Sequence, residues 1–403
     1  MNNAKYDIVL YGATGFTGRQ AADYMDRHAP DGLRWAIAGR NPTTLGAVAQ
    51  GLSRHAGIIV ADSSEPSTVD AMVASTRVLL TTAGPYSLCG EPLVAVCARA
   101  GVDYVDITGE VPFIRRMIDR YHEVALASRA RIIPACGFDS IPSDIGTLLL
   151  VHALYESGQA CVEAKAFFDG KGGFTGGTLA TALHNAGKED VALIKDPFLL
   201  NPHDRRPADG ANDRDLDRAI EDKDLGAWAG PFFMAPVNTR IVRRSAALAD
   251  EYGTPYGDGF RYWEAMGPTN PIVAAGLAFG MAWLEVLGRS RRARDLAARL
   301  GPAPGHGPSE KVMDGGFMHV RLFGRGTDGK KVECDFASTG DPGNRVTVKM
   351  VCESAMALIL DRDRLPGAPT RGGVLTPATG LGLVLVERLR SAGMRIETRP
   401  STS

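Results

Sequence analysis

The stretch YDIVLYGATGFTGR, residues 6–19, joins an apolar run to three closely spaced glycines. Its first half has the β-branched and aromatic character of a buried strand, and its end begins a helical pattern. Gly12, Gly15 and Gly18 lie at the turn between the two. In that context the first glycine permits a sharp turn, the second a close approach by a pyrophosphate, and the third tight helix–sheet packing. The stretch therefore predicts a dinucleotide-binding turn, with N–H groups at the helix start facing the phosphates.

Strands and helices alternate throughout the first 140 residues. Further apolar, strand-like runs lie at residues 33–38, 57–61, 78–83, 102–107 and 131–136. Helix-like segments separate them, at residues 16–28, 43–53, 66–74, 92–100 and 112–128. Such alternation is typical of a parallel sheet covered on both faces. We predict an α/β fold in which residues 1–140 form a Rossmann-type, doubly wound parallel sheet.

The end of the second strand indicates which dinucleotide is bound. NAD-binding domains place an acidic side chain there to bind the ribose hydroxyls. This chain has Arg40 in that region instead, within AGRN. A guanidinium can bind a 2′-phosphate that a carboxylate would repel, so NADP(H) is the expected cofactor, unless Arg40 is only a surface arginine. Asp62, just after the third strand, is expected near the adenine end.

The segment TTAGPYSLCGEP, residues 81–92, follows the fourth strand and should line the cofactor crevice. The small Ala83 and Gly84 leave room for the dinucleotide, Pro85 fixes the turn, and Tyr86 is expected near the nicotinamide. A buried or capping tyrosine is the alternative. The predicted cofactor-binding residues are Gly12, Ala13, Thr14, Gly15, Phe16, Thr17, Gly18, Arg40, Asp62, Ala83, Gly84, Pro85 and Tyr86.

The remaining residues indicate a second, α+β domain for substrate or oligomerisation, over residues 141–343. Its predicted elements are a helix at 145–155, a strand at 160–168, a helix from Leu179 and a hairpin within 315–338, where Asp-Gly marks the turn. The charged segment 203–224 is expected to be a solvated excursion, with a mobile lid as the alternative. Residues 344–403 are predicted to be helical and to pack back on the first domain.

Residues 271–288, PIVAAGLAFGMAWLEVLG, carry one charge, Glu285, and precede RSRRAR. The segment is too short and interrupted for a transmembrane span. A buried helix is the simpler interpretation. An interfacial helix with a basic flank, giving peripheral membrane contact, is the alternative.

Composition excludes several classes of function. The formal net charge of -1 and pI near 6.7 give no field that would attract nucleic acid. The six cysteines form no CxxC pair and the eight histidines are scattered, so we expect reduced thiols, no metal and a cytoplasmic protein. The oligomeric state stays open, a homodimer included.

Short-chain dehydrogenases use similar glycine-rich turns with a catalytic Tyr-x-x-x-Lys pair. None of the ten tyrosines here has a lysine four residues later, which disfavours that mechanism. The motifs GATGFTGR, AGR, TTAGPY, VDYVDITGE (102–110), CGFDSIPSD (136–144) and LTPATGLG (375–382) instead resemble the saccharopine dehydrogenase-like oxidoreductases. Within that group the chain resembles most the trans-acting enoyl reductases of lipid and polyketide assembly, from the first strand nearly to the C-terminus.

The resemblance implies an NADP-binding Rossmann domain and a second domain that covers the cofactor and shapes the substrate pocket. It places two segments around the cleft between them: Asp106, Thr108, Gly109 and Glu110, then Gly137, Phe138, Asp139 and Ser140. One departure is Asn344, which stands where the family pattern leads us to expect an aromatic residue after GDPG.

Three residues are candidates for catalysis: Tyr86, Glu110 and Asp139. Either acid could donate or orient a proton if a closed cleft raises its pKa, or could instead cap a helix start. Cys136 is expected to be a core thiol rather than a nucleophile.

Three functions follow. The favoured one is NADPH-dependent reduction of a C=C bond in an acyl substrate, with the apolar segment 271–288 and Phe232, Phe233 and Met234 lining an apolar pocket, unless these residues only pack in the core. The second is oxidoreduction of a C–N bond in an amino-acid conjugate, as in saccharopine dehydrogenases, for which Arg240, Arg243 and Arg244 could bind carboxylates. The third is NADP binding without turnover, or a lipid-associated role.

Overall fold

The computed structural model describes residues 4–173, 193–207, 213–249, 256–288, 290, 292 and 305–401. Two sheets organise these residues. The strands of the first sheet are β1 Tyr6–Tyr11, β2 Trp35–Gly39, β3 Gly57–Val60, β4 Thr76–Thr81, β5 Asp103–Asp106, β6 Arg131–Ile133 and β13 Gly373–Val374. Every neighbouring pair in it is parallel, in the order β13-β6-β5-β4-β1-β2-β3. The predicted Rossmann-type sheet is therefore confirmed.

Helices connect the strands of this sheet at nearly the predicted positions. They are α1 Phe16–His28, α2 Pro42–Gln50, α3 Pro66–Ala74, α4 Tyr86–Cys89, α5 Glu91–Ala100 and α6 Val111–Ser128. Since β1 is hydrogen-bonded to β2 on one side and to β4 on the other, the strand order reverses between β1 and β4. The loops after these two strands diverge there, which opens the crevice where doubly wound sheets bind ligands.

The second sheet is mixed. Its strands are β7 Cys161–Lys171, β8 Ile220–Asp222, β9 Ala227–Gly230, β10 Tyr256–Thr269, β11 Phe317–Gly326, β12 Lys331–Thr339 and β14 Arg395–Pro400. They lie in the order β14-β12-β11-β7-β10-β9-β8, and only β7 and β10 pair in parallel. The predicted hairpin is confirmed as β11 and β12, with Phe317 opposite Thr339. The helix predicted from Leu179 lies outside the described residues.

The remaining helices join the sheets. They are α7 Ile141–Glu156, α8 Ala235–Ala249, α9 Pro271–Gly288, α10 Glu310–Asp314, α11 Thr347–Leu360, α12 Pro377–Gly380 and α13 Gly382–Ser391. Helix α7 is buried along most of its length because it packs on β7, β11 and β12 as well as on α8 and α13.

The Asp144 carboxylate of α7 accepts hydrogen bonds from the main-chain N–H of Ala378 (2.7 Å) and the hydroxyl of Ser245 (2.5 Å). Burial raises the pKa of Asp144 to about 7.

The C-terminal sixty residues are not purely helical, which corrects the sequence prediction. Helix α11 does pack on α1, β4 and β5 of the first sheet. Strand β13 then extends the first sheet, with Gly373 opposite Arg131, and β14 extends the second, with Val332 opposite Pro400. The sequence did not predict these strands because neither shows an alternation of apolar and polar residues. Strand β13 has two residues, too few for a pattern, and β14 is mostly exposed.

The expectation of a solvated excursion at 203–224 is wrong for part of its described residues. Asp215 pairs with the buried Arg240 and accepts a hydrogen bond from Thr239. Asp222 pairs with Lys165 of β7 at 2.5 Å. Asp215 and Asp222 therefore neutralise Arg240, which is buried, and Lys165, which is largely buried, as charges removed from water require.

The buried-helix interpretation of α9 is also wrong. Ile272 is 82% exposed and Phe279 is 67% exposed, whereas Ala274 is fully buried. Only a narrow side of this apolar helix packs on the protein among the described residues.

Candidate functional site

The loop after β1 has the close packing that a dinucleotide turn needs. Gly12 has a positive φ of 86°, and a Cβ added there would lie 2.9 Å from the main-chain nitrogen of Ala83. A Cβ on Gly18 would lie 2.1 Å from the carbonyl oxygen of Gly12, so α1 can start this close to β1 only with glycine. Helix α1 begins after Gly15 without a side-chain cap, which leaves its first N–H groups for a ligand. This geometry fits a bound pyrophosphate.

Arg40 and Asp62 lie beyond the ends of β2 and β3. The Arg40 side chain is exposed, directly after β2, where its guanidinium can meet a phosphate in solvent. The main-chain N–H of Ser64 (3.0 Å) and its hydroxyl (2.9 Å) both donate to the Asp62 carboxylate and lower its pKa. A charged Asp62 near Arg40 suits a site in which the arginine binds the 2′-phosphate and the carboxylate accepts a hydrogen bond from the adenine end of the cofactor.

The turn after β4 brings Ala83 against Gly12 and then buries Tyr86. The Tyr86 hydroxyl donates to the carbonyl oxygen of Thr81 at 3.1 Å and accepts from the N–H of Ile107 at 3.4 Å. Its ring is 5% exposed, and burial raises its pKa well above the usual value. A hydroxyl fixed between β4 and the loop after β5 favours the structural interpretation of Tyr86 over the catalytic one.

Glu110 acts as a cap, but for a helix that the sequence did not indicate. It precedes α6, yet it forms no side-chain cap there. Its two carboxylate oxygens instead accept hydrogen bonds from the N–H groups of Tyr86 (2.7 Å) and Ser87 (3.0 Å), at the start of α4. The buried carboxylate thereby fixes the 83–87 turn that borders the cofactor crevice. These contacts favour capping over proton donation.

Asp139 lies between the loops that follow β5 and β6, near Gly109 and Gly137. Its Oδ1 lies 3.9 Å from where a Cβ on Gly109 would stand, and its Oδ2 lies 3.2 Å from the same point on Gly137. The side chain is half-buried, and desolvation, with a smaller contribution from the charge of Asp106, raises its pKa to about 7. A carboxyl with a pKa raised in this way can exchange a proton near neutral pH.

Asp106 supports this corner of the site. Its carboxylate is fully buried and accepts from the hydroxyl of Tyr104 (2.8 Å) and from the N–H groups of Thr108 (3.0 Å) and Ala135 (2.9 Å). Burial raises its pKa to about 6. These bonds join the loops after β5 and β6, so Asp106 positions the backbone around Asp139.

An aromatic wall, defined here as Phe138, Phe168 and Phe232, lies beside Asp139. Phe168 and Phe232 stack with their ring centroids 4.3 Å apart, and Phe138 meets Phe168 edge-on at 5.8 Å. Met234 continues this apolar surface, since its Cε lies 3.7 Å from the Cβ position of Gly109. Of the three residues predicted to line a pocket, Phe232 is buried, Met234 is half-buried and Phe233 is 43% exposed.

Sequence reasoning missed a buried polar network behind this wall. The amide of Asn238 accepts from the Ser140 hydroxyl (3.2 Å) and donates to Glu264 (2.8 Å). Glu264 also accepts from the hydroxyls of Ser143 and Tyr262, each at 2.8 Å, and burial raises its pKa to about 7. One feature of the sequence could have indicated this network: Glu264 is an acidic residue within the otherwise apolar strand run YWEAM. The network fixes the start of α7, two residues after Asp139.

The three arginines considered for a carboxylate-binding site do not converge on the cleft. Arg240 donates to the carbonyl oxygens of Asp196 and Ile194, Arg243 to those of Pro197 and Tyr262, and Arg244 to those of Leu200 and Val374. All three are buried. They hold the segment 194–200 against α8.

Two further residues singled out in the sequence have structural contacts. Asn344 is fully buried, and its amide donates to Asp341 at 2.5 Å, within the turn that precedes α11. The thiol of Cys136 is buried, contacts the carbonyl oxygen of Ile133 at 3.3 Å and has a pKa raised by burial. These contacts agree with the expectation that Cys136 is a core thiol rather than a nucleophile.

Replacing Glu110 with glutamine tests whether it is a cap. The amide has one accepting oxygen, so one of the two N–H groups at the start of α4 loses its partner. We expect Glu110→Gln to lower the free energy of unfolding by about 1–3 kcal/mol and to weaken NADPH binding. Urea denaturation and fluorescence titration measure the two effects. Glu91→Gln, which alters a half-exposed pair with Arg120, is the matched control and should cost less. Unchanged stability with lost turnover would instead make Glu110 the proton donor.

Comparisons with known proteins agree with this geometry. Residues 8–133 match the family described as the saccharopine dehydrogenase NADP binding domain. A trans-acting enoyl reductase of Mycobacterium tuberculosis is 41% identical over 419 residues, covering 98% of both chains. One from Mycobacterium ulcerans is 38% identical over 424 residues, covering 97% of each. Apo saccharopine dehydrogenase from Saccharomyces cerevisiae has the same fold, with a TM-score of 0.54, 13% identity, and 98% of this chain and 99% of that one covered.

The expected cofactor is thus confirmed as NADP(H), since the matched domain contains the glycine turn and the 83–86 segment. The 41% identity to the Mycobacterium tuberculosis enzyme extends over 98% of each chain, so the similarity covers the second domain as well as the first. The chain belongs to the saccharopine dehydrogenase-like oxidoreductases, in the group that contains the trans-acting enoyl reductases.

Proposed function

We propose that this protein is an enoyl reductase that uses NADPH to reduce the C=C bond of a lipid or polyketide-type acyl substrate. The observation that carries the proposal is the aromatic wall beside Asp139, at the carboxyl ends of β5 and β6. An apolar surface suits an acyl chain, and a neutral carboxyl suits the one proton that the reaction needs. The printed names of full-length relatives, which are enoyl reductases, support the same reaction.

The cofactor-binding residues have separate tasks in this proposal. The loop from Gly12 to Gly18 and the uncapped start of α1 bind the pyrophosphate. Arg40 binds the 2′-phosphate, and the turn at 83–86, fixed by Glu110, borders the nicotinamide end. When bound, NADPH supplies a hydride to the β-carbon of the enoyl group.

The half-buried Phe138 and Met234 contact the acyl chain, and the buried Phe168 and Phe232, which pack on Phe138, exclude water from the reacting carbons. Removing water strengthens the electrostatic interactions within the site. The stacked pair of Phe168 and Phe232 is held on the second sheet, so the wall is rigid enough to orient the substrate. Reduction requires the reacting atoms to come within roughly 3–3.5 Å of each other.

Asp139 donates the proton to the α-carbon. With a pKa raised to about 7, a large fraction of its carboxyl is protonated at neutral pH, and after donation the carboxylate regains a proton from solvent. Asp106 and the network around Glu264 hold the neighbouring backbone, so that the carboxyl keeps its place. Neither of these groups needs to contact the substrate.

Oxidoreduction of a C–N bond in an amino-acid conjugate has less support. Such a substrate carries several carboxylates and requires convergent basic groups. Arg240, Arg243 and Arg244 are the basic cluster that the sequence offered, and all three donate to main-chain carbonyl oxygens in the second domain.

The reaction is tested by following NADPH absorbance with crotonyl and longer enoyl thioesters, and with saccharopine and NADP as the comparison. We expect oxidation of NADPH with the enoyl substrates, at a higher kcat/KM for the longer chains because the aromatic wall contacts more of them. Turnover of saccharopine, with none of any enoyl thioester, would contradict the proposal.

Arg40→Ala tests the assignment of the 2′-phosphate. We expect the Kd for NADPH to rise about tenfold to hundredfold, because charge-assisted hydrogen bonds are lost, while the Kd for NADH stays unchanged. Isothermal titration calorimetry measures both constants. Arg99→Ala, at an exposed arginine near the end of α5, is the matched control. Equal loss for the two coenzymes would mean that Arg40 does not contact the phosphate.

Asp139→Asn tests the proton donor through its pH profile. The wild-type carboxyl, with its raised pKa, is protonated below about pH 7, so kcat/KM should fall as the pH rises through that value. The variant should be about 10²–10⁴-fold slower and lack this dependence, with NADPH affinity retained. A variant with the same falling limb near pH 7 would assign the donor to another group.

A further inference from the structure

Helix α9 presents an apolar stripe to its surroundings. Ile272, Phe279 and Trp283 lie at positions i, i+7 and i+11, on one side of the helix, and are 82%, 67% and 50% exposed. Phe279 and Trp283 meet edge-on with ring centroids 5.9 Å apart. Helices of soluble proteins place polar residues on the exposed side, whereas this one has none there among its described side chains.

The opposite side of α9 fixes the helix to the second sheet. A Cβ on Gly230 of β9 would lie 2.9 Å from the carbonyl oxygen of Ala274 and 3.0 Å from the Cβ of Leu277. The absence of a side chain at Gly230 therefore lets α9 lie directly on the sheet. The helix is held along this side, and the stripe of Ile272, Phe279 and Trp283 faces away from it.

A concentration of positive charge follows the helix in the sequence. Arg289, Arg291, Arg292 and Arg294 lie within six residues, and no acidic residue occurs among residues 286–294. This charge contrasts with the nearly neutral chain as a whole, whose formal net charge is -1. An apolar stripe with an adjacent basic flank is complementary to a surface with an apolar interior and anionic headgroups.

The chemistry of the stripe favours lipid over a protein partner. A typical protein interface forms about one hydrogen bond per 100–200 Å² and has a polar rim. Residues 271–284 contain no charged side chain, and the indole of Trp283 is the one side chain there that can donate a hydrogen bond. Lipid requires no hydrogen bonds from the stripe, and tryptophan is favoured at the boundary between headgroups and acyl chains.

We propose that α9 docks in the plane of an anionic lipid surface, with Ile272, Phe279 and Trp283 inserted among the acyl chains and the positive charge that follows the helix in the sequence attracting the anionic headgroups. None of the described helices is long and apolar enough to cross a membrane. Because the exposed stripe runs along one side of the 18-residue helix, the docked helix would lie along the surface.

Docking through α9 brings the aromatic wall close to the lipid. Phe168, Met266 and Gly230 are opposite one another on three adjacent strands, so they lie on the same face of the second sheet. Helix α9 covers Gly230 on that face, and Phe232 of the wall follows two residues later. A lipid-soluble acyl substrate would thus have a short path to the cleft; this consequence rests on the proposed function, but the docking itself does not.

Flotation of the full chain with vesicles tests the docking. We expect binding to vesicles of phosphatidylcholine mixed with phosphatidylglycerol, weaker binding to phosphatidylcholine alone, and a decrease with added salt. The double variant F279S/W283S should bind at least about tenfold more weakly, because its apolar insertion is lost. The control L126S/L360S changes two exposed leucines elsewhere, 39% and 45% exposed, and should bind like the wild type.

Three results would overturn the proposal: no flotation with the anionic vesicles, equal flotation of F279S/W283S, or equal loss in L126S/L360S. A dimer in analytical ultracentrifugation that F279S/W283S converts to a monomer, without vesicle binding by the wild type, would instead show that a second copy covers the stripe. NADPH affinity, measured in parallel, should stay unchanged in both variants, so failure of the docking is distinguishable from failure of the proposed function.

Discussion

The start of helix α1 on strand β1 is the contact on which the rest of the site depends. Gly18 faces the carbonyl oxygen of Gly12 with no room for a side chain, and Gly12 in turn has the main chain of Ala83 against it. These contacts bring the loops after β1 and β4 together where the strand order reverses. The crevice, the uncapped helix start and the position of the 83–87 turn all follow from this close packing, which any larger side chain would disrupt.

Buried carboxylates extend this order from the first sheet to the second domain. Glu110 fixes the 83–87 turn, Asp106 joins the loops after β5 and β6, and Glu264 holds the start of α7. Burial opposes the ionisation of Asp106 and Glu264, so each is tolerated only because several donors surround it. Asp139 differs from these two in being only half-buried as a residue, although desolvation raises the pKa of its carboxyl to about 7.

The second domain combines an apolar wall at the cleft with an apolar helix at its surface. The two lie on the same face of one sheet, linked through Gly230 and Phe232, within a short stretch of chain. The buried arginines of α8 hold the neighbouring 194–200 segment by hydrogen bonds to its main chain. Because those guanidinium groups donate to main-chain carbonyl oxygens, they do not form the convergent basic site that a substrate with several carboxylates would need.

The sequence by itself determined the first sheet, the glycine turn and the preference for NADP(H). These depend on local patterns: apolar strands of a few residues, glycines at fixed spacing, and Arg40 where an acid would otherwise stand. Only the tertiary structure showed the contacts of Glu110 and Tyr86. Glu110 accepts from the N–H of Tyr86, 24 residues away in the chain, and the Tyr86 hydroxyl accepts from the N–H of Ile107, 21 residues away. The strands β13 and β14, the network around Glu264 and the exposure of α9 depend likewise on contacts between distant segments. A side chain's type and spacing determine which element it forms, but burial and partners are properties of the folded chain, and these decide whether an acid caps, supports or donates.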